Sequence, residues 1–534
     1  MTGRIHSLLL LALLAWNGYC ADLPQKGDVV FQTGFDSPSE QQAWPMAGFA
    51  QWDAVSPQGG ASLLINVPPD QAGGSHMLDH PLDLAPCRDC RLLFECMAKA
   101  DNVTTPPASF LGIKFMLYYN SIQEGPVWLN ENNVHGTFNW RKLRFMAVIP
   151  SDAAGGRISL GLQDSSGTVR FDSLKITVMS VLKRPVPPID PPPVFKGHNL
   201  PRLRGIMSPN VFRDEDMRVL GMEWNANVIR WQITRNWGLA DTDRDLAEYD
   251  RWLNGRLVEL DRALVACRRY GIKVVVDMHT PPGGRYENSD LAIFHEKMYQ
   301  DHFVALWEKI ARRYKGNPAV WGYDLVNEPV QSVPSPEGVA DYLGVQTLAA
   351  RAVRDIDPDV PIFIATDAWN SAASFRYMEP IPVSNIIYQV HVYNPHQYTH
   401  QGVREKWTPL TYPGEIAGRY WDKTELRRTL QPVRDFQTAW NAHIYVGEFS
   451  AVRWAPGAAQ YLRDCIELFE EYGWDWTYHA YREWDGWSVE HGSDPGDHTP
   501  TRKPADRRKV LLEWFRKNRK TPGPSFRQTM ERIP

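Results

Sequence analysis

Two different hydrophobic patterns divide the chain. From about residue 28 to residue 179, short alternating apolar segments are interrupted by Gly, Pro, Asn and Asp, as in residues 61–67 and 111–119. This alternation predicts the strands of an all-β domain. From residue 203 onward, strand-like runs alternate with segments such as residues 256–269, in which apolar residues recur at helical spacing. Repeated strand-then-helix units predict a parallel sheet closed into a (β/α)8 TIM barrel.

The segment between these two regions of the chain sets the predicted domain boundaries. Residues 183–193 are dense in proline and favour an extended, semi-rigid spacer. We therefore expect an α/β barrel preceded by an all-β, jelly-roll-like sandwich, in four segments: a signal peptide over 1–20, the sandwich over 21–182, a Pro-rich linker over 183–195, and a (β/α)8 catalytic domain over 196–534.

The first twenty residues have the pattern of a secretory signal. Arg4 and His6 precede an apolar run over residues 8–16, and Gly18 and Cys20 follow it. The run is too short to span a bilayer, and no later segment has the roughly 18 continuous apolar residues of a membrane helix. We expect a secreted or periplasmic protein. A lipid anchor at Cys20 is disfavoured by the aromatic Tyr19 before it.

The net charge and the cysteine content limit the classes of partner and cofactor that the sequence predicts. The net charge is −4 over 534 residues and no long basic run occurs, which disfavours a nucleic acid partner. Cys87, Cys90 and Cys96 lie close together, and an exported protein would accommodate one disulfide among them. A zinc site would need a fourth ligand at regular spacing, so we expect no metal and no cofactor.

Two glutamates follow strand-like segments of the predicted barrel. Glu328 comes after an apolar run that begins at Val320, and Glu448 comes directly after residues 443–447. Breaking a glycosidic bond requires a proton on the leaving oxygen and stabilisation of an oxocarbenium-like centre, which one acid and one carboxylate supply. On parallel strands of one barrel the two carboxyls would lie about 5 Å apart, the spacing of a retaining double displacement. Either glutamate alone would more often be an exposed surface residue.

Further polar residues end other predicted strands. Arg230 follows a short apolar stretch, where a guanidinium would lower the pKa of Glu448 or instead form a surface ion pair. His279 ends an apolar strand before a turn-rich loop. His391 and Tyr393 have period-two spacing, so both side chains face the same side of their strand. Asn327 is either a sugar ligand or only a turn residue.

These motifs, in this order, resemble glycoside hydrolase family 5 of clan A over roughly residues 200–515. The matching segments are residues 227–230, 274–279, 327–329, 391–393 and 447–449. The resemblance implies Glu328 as acid/base and Glu448 as nucleophile, with Asn327 contacting the sugar 2-hydroxyl. It also implies that Tyr393 hydrogen-bonds the nucleophile and that Arg230, His279 and His391 line the floor of the subsite.

The eighth strand departs from the family pattern. The family usually carries a tryptophan platform there, whereas here the candidates are His479, Trp484 and Trp487. We predict that Trp484 serves as the platform, and Trp454 is a further candidate because flat rings stack on the apolar faces of sugars. Core packing is the alternative for each.

The resemblance implies a retaining β-glycoside hydrolase that acts on an oligosaccharide or polysaccharide, which we expect to be a β-glucan or a related polymer. Transglycosylation on the same barrel, or a non-catalytic carbohydrate-binding role, are the alternatives. The last strand of the sandwich, within residues 169–179, resembles that of a carbohydrate-binding module. Trp44, Trp52, Trp128 and Trp140 are its candidate sugar platforms, and each is equally compatible with a core position.

Overall fold

The strands of the N-terminal part form two packed antiparallel sheets. The computed structural model describes residues 24–122, 124–190, 198–208, 211–403 and 408–520; the predicted signal peptide, Cys20 and residues 191–195 of the predicted linker lie outside them. The strands are β1 (Val29–Thr33), β2 (Ala50–Asp53), β3 (Ser62–Val67), β4 (Ser75–Pro81), β5 (Cys90–Val103), β6 (Gly112–Ser121), β7 (Gly125–Asn130), β8 (Gly136–Ile149), β9 (Ala154–Gln163) and β10 (Gly167–Val181), with one short helix, α1 (Pro38–Gln42).

One sheet has the order β2-β3-β10-β5-β8, with β1 also paired to β10, and the other has the order β4-β9-β6-β7. Their inner faces share one apolar core that includes Trp44, Phe94 and Phe145. The predicted β-sandwich is therefore confirmed, because the alternating pattern buries one face of each strand between the sheets.

The cysteines of this domain are free buried thiols. Cys90 begins β5 and Cys96 follows six residues later on the same strand. An extended strand separates such positions by about 20 Å, far beyond disulfide reach. Cys87 is also unpaired, and burial raises the pKa of its thiol to about 11. The expected disulfide is therefore wrong.

Eight parallel strands close the second domain into a barrel, as predicted. They are β11 (Arg204–Met207), β12 (Val228–Gln232), β13 (Lys273–Asp277), β14 (Val320–Asp324), β15 (Ile362–Ala365), β16 (Ile386–Val392), β19 (His443–Phe449) and β20 (Asp475–Tyr478). A hairpin of β17 (Gly414–Ile416) and β18 (Arg419–Trp421) is inserted after β16. The helices are α2 (Asp214–Arg218), α3 (Leu246–Tyr270), α4 (Lys297–Tyr314), α5 (Tyr342–Ile356), α6 (Asp367–Asn370), α7 (His396–Thr399), α8 (Lys423–Trp440), α9 (Ala458–Tyr472) and α10 (Asp506–Phe515).

The interior of the barrel is layered. Its lower part is filled by side chains from successive strands: Leu203, Val228, Val275, Trp321, Phe363, Ile387 and Tyr445. Charged and polar side chains lie above this plug, toward the carboxyl ends of the strands. Because the plug residues are buried and packed together, the polar layer above them is approached from the top of the barrel. In the part of the chain that the structure describes, none of the helices combines the length and the hydropathy of a membrane span.

The sandwich contacts the loops at the top of the barrel. The backbone N–H of Met146, on the edge strand β8, donates to the carbonyl of Ser332, at 2.6 Å. Asn133 donates to the carbonyl of Glu287, and Glu124 forms a 2.9 Å ion pair with Arg376. The two domains thus meet at the loops that follow β13, β14 and β15.

At the opposite, lower end of the barrel, Asp475 accepts three hydrogen bonds. Its donors are His198 Nε2 at 2.9 Å, His443 Nε2 at 2.8 Å and the backbone N–H of Leu203 at 2.7 Å. These bonds tie the chain segment that enters the barrel to the first residues of β19 and β20. We interpret this cluster as structural, because both imidazoles use a ring N–H to donate to the carboxylate.

We expect Asp475→Ala to lower the free energy of unfolding by at least about 2 kcal/mol, because buried donors would lose their acceptor. The measurement is urea unfolding followed by tryptophan fluorescence. Asp250→Ala is the matched control, since Asp250 also pairs with a histidine, His302, but at the surface; its effect should be about 0.5 kcal/mol or less. Equal effects of the two changes would contradict the structural role.

Candidate active site

Arg230 lies at the centre of the polar layer. Its side chain is fully buried, and its guanidinium contacts Glu448 Oε1 at 2.7 Å, Asp324 Oδ2 at 2.8 Å and Asp277 Oδ1 at 3.2 Å. Burial by itself would lower the pKa of Arg230, but the three carboxylates raise it well above the ordinary value. The side chain therefore stays cationic and joins β12, β13, β14 and β19 through one group.

Glu448 lies within β19 and is held at both oxygens. Oε1 accepts from Arg230, and Oε2 accepts from the Tyr393 hydroxyl at 2.8 Å. His479 Nδ1 and His391 Nδ1 lie 3.7 and 3.8 Å from the same Oε2. Burial would raise the pKa of Glu448, but the charges of His391, His479 and Arg230 lower it below the ordinary value. This carboxyl is therefore ionised, as a nucleophile requires.

Glu328 lies beyond the end of β14 and not on it. The strand ends at Asp324, and Glu328 adopts a left-handed backbone with φ of 44°, which costs of the order of 1 kcal/mol for a residue with a Cβ. Two contacts hold it: His391 Nδ1 donates to Oε1 at 2.9 Å, and Arg285 donates to its carbonyl oxygen at 2.8 Å. One carboxylate oxygen of Glu328 lies within 4.8 Å of one carboxylate oxygen of Glu448.

Asn327 and His279 complete one wall. The Asn327 amide oxygen accepts from Arg230 at 2.9 Å, so its amide nitrogen faces His279 Nε2 at 3.1 Å. His279 Nδ1 in turn donates to Asp277 Oδ2 at 2.9 Å. This chain of contacts fixes the orientation of the Asn327 amide and presents it beside Glu328.

Trp454 and Trp484 belong to an aromatic cluster beside the carboxylates. Trp484 is 39% exposed and packs edge-on against Trp454 and Trp487, with ring centroids 5.9 and 5.5 Å away. Trp487 is buried and contacts the rings of Tyr393 and His479. The side chain at the end of β20 that faces Glu448 is therefore His479, and Trp484 lies farther out.

A second cleft wall was not anticipated from the sequence. Trp237 and Trp369 are 63% and 46% exposed and line the same pocket as Glu328, His279 and Asn327. The Trp369 ring lies 4.6 Å from the Arg285 guanidinium, a cation–π contact. Trp237 lies in a loop and Trp369 in the four-residue α6, whose backbone is non-helical at Ala368 and Trp369. Segments of this kind have no periodicity that distinguishes a sugar-facing ring from a packed one.

Hydrogen bonds join seven of the nine candidate residues, with Arg285 linking the backbone carbonyls of Asn327 and Glu328. The seven are Arg230, His279, Asn327, Glu328, His391, Tyr393 and Glu448. Sequence reasoning missed Asp277, Asp324, Gln389 and Arg285. Asp277 lies two residues before His279, and Gln389 lies two residues before His391. The period-two spacing that paired His391 with Tyr393 would therefore have identified Asp277 and Gln389 as well.

Glu328, His391 and Glu448 also present donor atoms close enough to hold a cation. His391 Nδ1 already contacts Glu328 Oε1 at 2.9 Å, and the Arg230 guanidinium supplies positive charge 2.7 Å from Glu448. The arrangement fits an acid and a nucleophile better than a metal ligand set.

A (β/α)8 barrel with two carboxyls at this spacing on its C-terminal face defines a retaining glycoside hydrolase. Residues 192–485 match the family model described as cellulase, glycosyl hydrolase family 5. The chain belongs to that family and is a glycosidase that hydrolyses O-glycosyl bonds.

Several characterised proteins are similar to this chain. Endoglucanase C of Acetivibrio thermocellus is 26% identical over 275 residues, which cover 45% of this chain and 77% of that protein. Cellodextrinase A of Ruminococcus flavefaciens is 28% identical over 210 residues, 39% of this chain and 58% of that protein. The solved structure of an endoglucanase from Thermotoga maritima is 23% identical, with a TM-score of 0.44, and covers 58% of this chain and 96% of that one.

We expect Gly447→Ala to impair both stability and activity. A Cβ at Gly447 would lie 2.0 Å from Gln389 Oε1 and 2.8 Å from His391 Nε2, so it would displace the histidine that contacts Glu328. Such overpacking costs about 1 to 3 kcal/mol. The measurements are the free energy of unfolding and kcat/KM on an aryl β-glycoside.

Gly255→Ala is the control for this change. Gly255 lies on an exposed face of α3, and a Cβ there meets nothing within 4 Å. Alanine in a helix interior should stabilise the protein by up to about 1 kcal/mol and leave kcat/KM unchanged. Wild-type stability and activity of Gly447→Ala would contradict the close packing of Gly447 against Gln389 and His391.

Proposed function

We propose that this protein hydrolyses β-linked glucans with retention, with Glu448 as the nucleophile and Glu328 as the acid/base. The observation that supports these roles is the proximity of the two carboxyls, since one oxygen of Glu328 lies within 4.8 Å of one oxygen of Glu448. Double displacement needs carboxyls about 5 Å apart, whereas inversion needs room for a water between them, at about 6.5 to 9.5 Å.

In the first step Glu448 Oε attacks the anomeric carbon, and the proton of Glu328 goes to the leaving oxygen. The fixed positions of Arg230 and Tyr393 on Glu448 favour attack by an ionised, oriented carboxylate. In the second step Glu328, now ionised, takes a proton from water, and the water oxygen replaces Glu448 at the anomeric carbon. The Asn327 amide, oriented by Arg230, is the group proposed to contact the sugar 2-hydroxyl.

The substrate class rests on two lines of support. The similar proteins named above are an endoglucanase and a cellodextrinase. In addition, the exposed rings of Trp237 and Trp369 flank Glu328 in the cleft and suit the flat apolar faces of β-linked glucosyl units. Trp484, on the side of Glu448, is the proposed platform at the other end.

Glu448→Ala should lower kcat/KM by more than about 10³-fold on every substrate, because no nucleophile remains. Glu328→Ala should lose about 10²- to 10⁴-fold on a glucan, but far less on a dinitrophenyl β-glycoside, whose leaving group needs no proton. The assay is release of reducing sugar or dinitrophenol across β-glucans, mannans, xylans and aryl β-glycosides.

Both variants should unfold as wild type does, which circular dichroism would check. NMR of the first-formed product should show the β-anomer. Normal turnover by Glu448→Ala would refute its role, and the α-anomer would refute retention. Transfer products that dominate at high acceptor concentration would favour transglycosylation over hydrolysis.

We further propose that the protein is exported and that its sandwich is a separate carbohydrate-binding domain, with the boundaries given above. Trp44 is a core residue and Trp52 packs on Phe35, so neither presents a free ring. Trp128, on β7, is 54% exposed, and its register partner Tyr118 is in turn paired with Arg157 on β9. This row places two aromatic rings and a guanidinium on the outer face of one sheet, a surface suited to a glycan chain.

Trp128→Ala should weaken binding of the full-length Glu448→Ala protein to insoluble β-glucan by at least about tenfold, because burying a large apolar side chain contributes about 1.5 to 3 kcal/mol. The measurement is a depletion isotherm. Phe110→Ala is the control, since Phe110 is equally exposed elsewhere on the sandwich. Equal affinities of the two variants would refute a glycan-binding role for this row.

A further inference from the structure

His479 lies where the eighth strand ends, directly against the proposed nucleophile. Its ring is nearly buried, with Nδ1 2.7 Å from the Tyr393 hydroxyl and 3.7 Å from Glu448 Oε2. On the other side, Nε2 lies 3.3 Å from Glu483 Oε2. Glu483 is itself held by the side-chain amide of Gln232, on β12, at 2.5 Å. A row of four groups therefore runs from Glu483 through His479 and Tyr393 to Glu448.

The hydrogen-bond donors in this row determine the protonation of His479. Glu448 is ionised and can only accept, so the Tyr393 hydroxyl donates its proton to Glu448. The Tyr393 oxygen then accepts, and His479 Nδ1 must carry a proton to donate to it. Nε2 faces the Glu483 carboxylate, which also only accepts, so Nε2 must carry a proton as well. A histidine protonated on both nitrogens is an imidazolium.

We propose that His479 is a positioning residue, held as an imidazolium by Glu483, that fixes the Tyr393 hydroxyl on Glu448 and places a positive charge beside that carboxylate. The proposal rests on the proposed role of Glu448 as nucleophile. It assigns His479 a polar task at a position where an aromatic platform was expected. Glu483 and Gln232 gain a role in the reaction without touching the substrate.

The surrounding charges are consistent with this state. Burial would lower the pKa of His479, but Glu483 from its own loop, Glu448 from β19 and Glu328 from the loop after β14 raise it to about 9. Tyr393 from the end of β16 is neutral, and its pKa is raised well above the ordinary value. Arg230, His279 and His391 face the same carboxylates from the far side, while the Trp487 ring covers one face of the imidazole.

The test is the pH dependence of kcat/KM for a dinitrophenyl β-glycoside, between pH 5 and pH 10.5. With this leaving group, the proton of Glu328 is not needed, so its loss does not mask other ionisations. Because the imidazolium is the active form, wild-type kcat/KM should fall as pH rises through the pKa of His479. In Glu483→Gln that fall should move to lower pH by at least one unit, since an opposite charge 3.3 Å away is removed.

Two further variants test whether the shift of the pH profile comes from the charge of Glu483. Asp485 lies in the same loop as Glu483, but its carboxylate pairs with His498 and Arg453. The pH profile of Asp485→Asn should therefore match that of the wild type. The double variant Glu483→Gln with Gln232→Glu exchanges the carboxylate and the amide across the contact between these two residues. It returns one negative charge to that pair and should move the alkaline limb part of the way back toward the wild-type pH. A structural defect would not follow the charge in this way.

If Glu483→Gln does not fold, His479→Gln tests the proposed role of His479 by itself. It keeps one donor but cannot ionise, so the alkaline limb should disappear while kcat/KM at neutral pH falls about 10- to 100-fold, as for one lost charge-assisted hydrogen bond. An unshifted limb in Glu483→Gln, or a retained limb in His479→Gln, overturns the proposal. Failure of the proposed function would appear separately, as turnover of the same glycoside by Glu448→Ala.

Discussion

The contact between Arg230 and its three carboxylates is the interaction on which the rest of the site depends. One cation inside the barrel contacts Glu448, Asp324 and Asp277 at 2.7 to 3.2 Å, with no access to water from below. Removing the guanidinium would leave buried charges without a partner, which is far more costly than losing a surface pair. The carboxyls around Arg230 also differ in how readily they take up a proton. Burial raises the pKa of Asp324 to about 6, whereas the pKa of Glu448 is lowered, so Asp324 becomes protonated first as the pH falls and Glu448 stays ionised.

The fold makes this arrangement possible because residues far apart in the chain end neighbouring strands of one closed sheet. Arg230, Asp277, Asp324 and Glu448 come from β12, β13, β14 and β19. The first two follow the plug residues Val228 and Val275 by two positions, as alternation requires. Asp324 and Glu448 follow Trp321 and Tyr445 by three positions, and a register shift in each of these strands turns them inward. Charged side chains are buried inside the barrel only because the guanidinium of Arg230 and the carboxylates pair with one another. The aromatic plug beneath them and the polar layer above are therefore two parts of a single interior, one excluding water and the other using the resulting low dielectric.

The sequence predicted the barrel and most of its polar layer because strand periodicity and strand-end motifs are local signals. Arg230, Glu448, His391 and Tyr393 lie on or directly after strands and were found in this way. Glu328 was also found, but its left-handed backbone and its distance from the end of β14 were not, since they depend on Arg285 from another loop. Trp237 and Trp369 were missed for the same reason: loop conformation decides their exposure. The pairing of His479 with Glu483 depends on a turn that no periodicity describes.

The hydrogen bond from Met146 to Ser332 has a consequence for the sandwich itself. Strand β8 is the edge of its sheet, and an open edge offers unpaired N–H and C=O groups on which another chain could add a strand. In this protein the catalytic domain approaches that edge with the loop that follows Glu328. At Met146 the barrel therefore occupies a backbone N–H that an added strand would need, so strand addition at this point of the edge would require the two parts of the chain to separate.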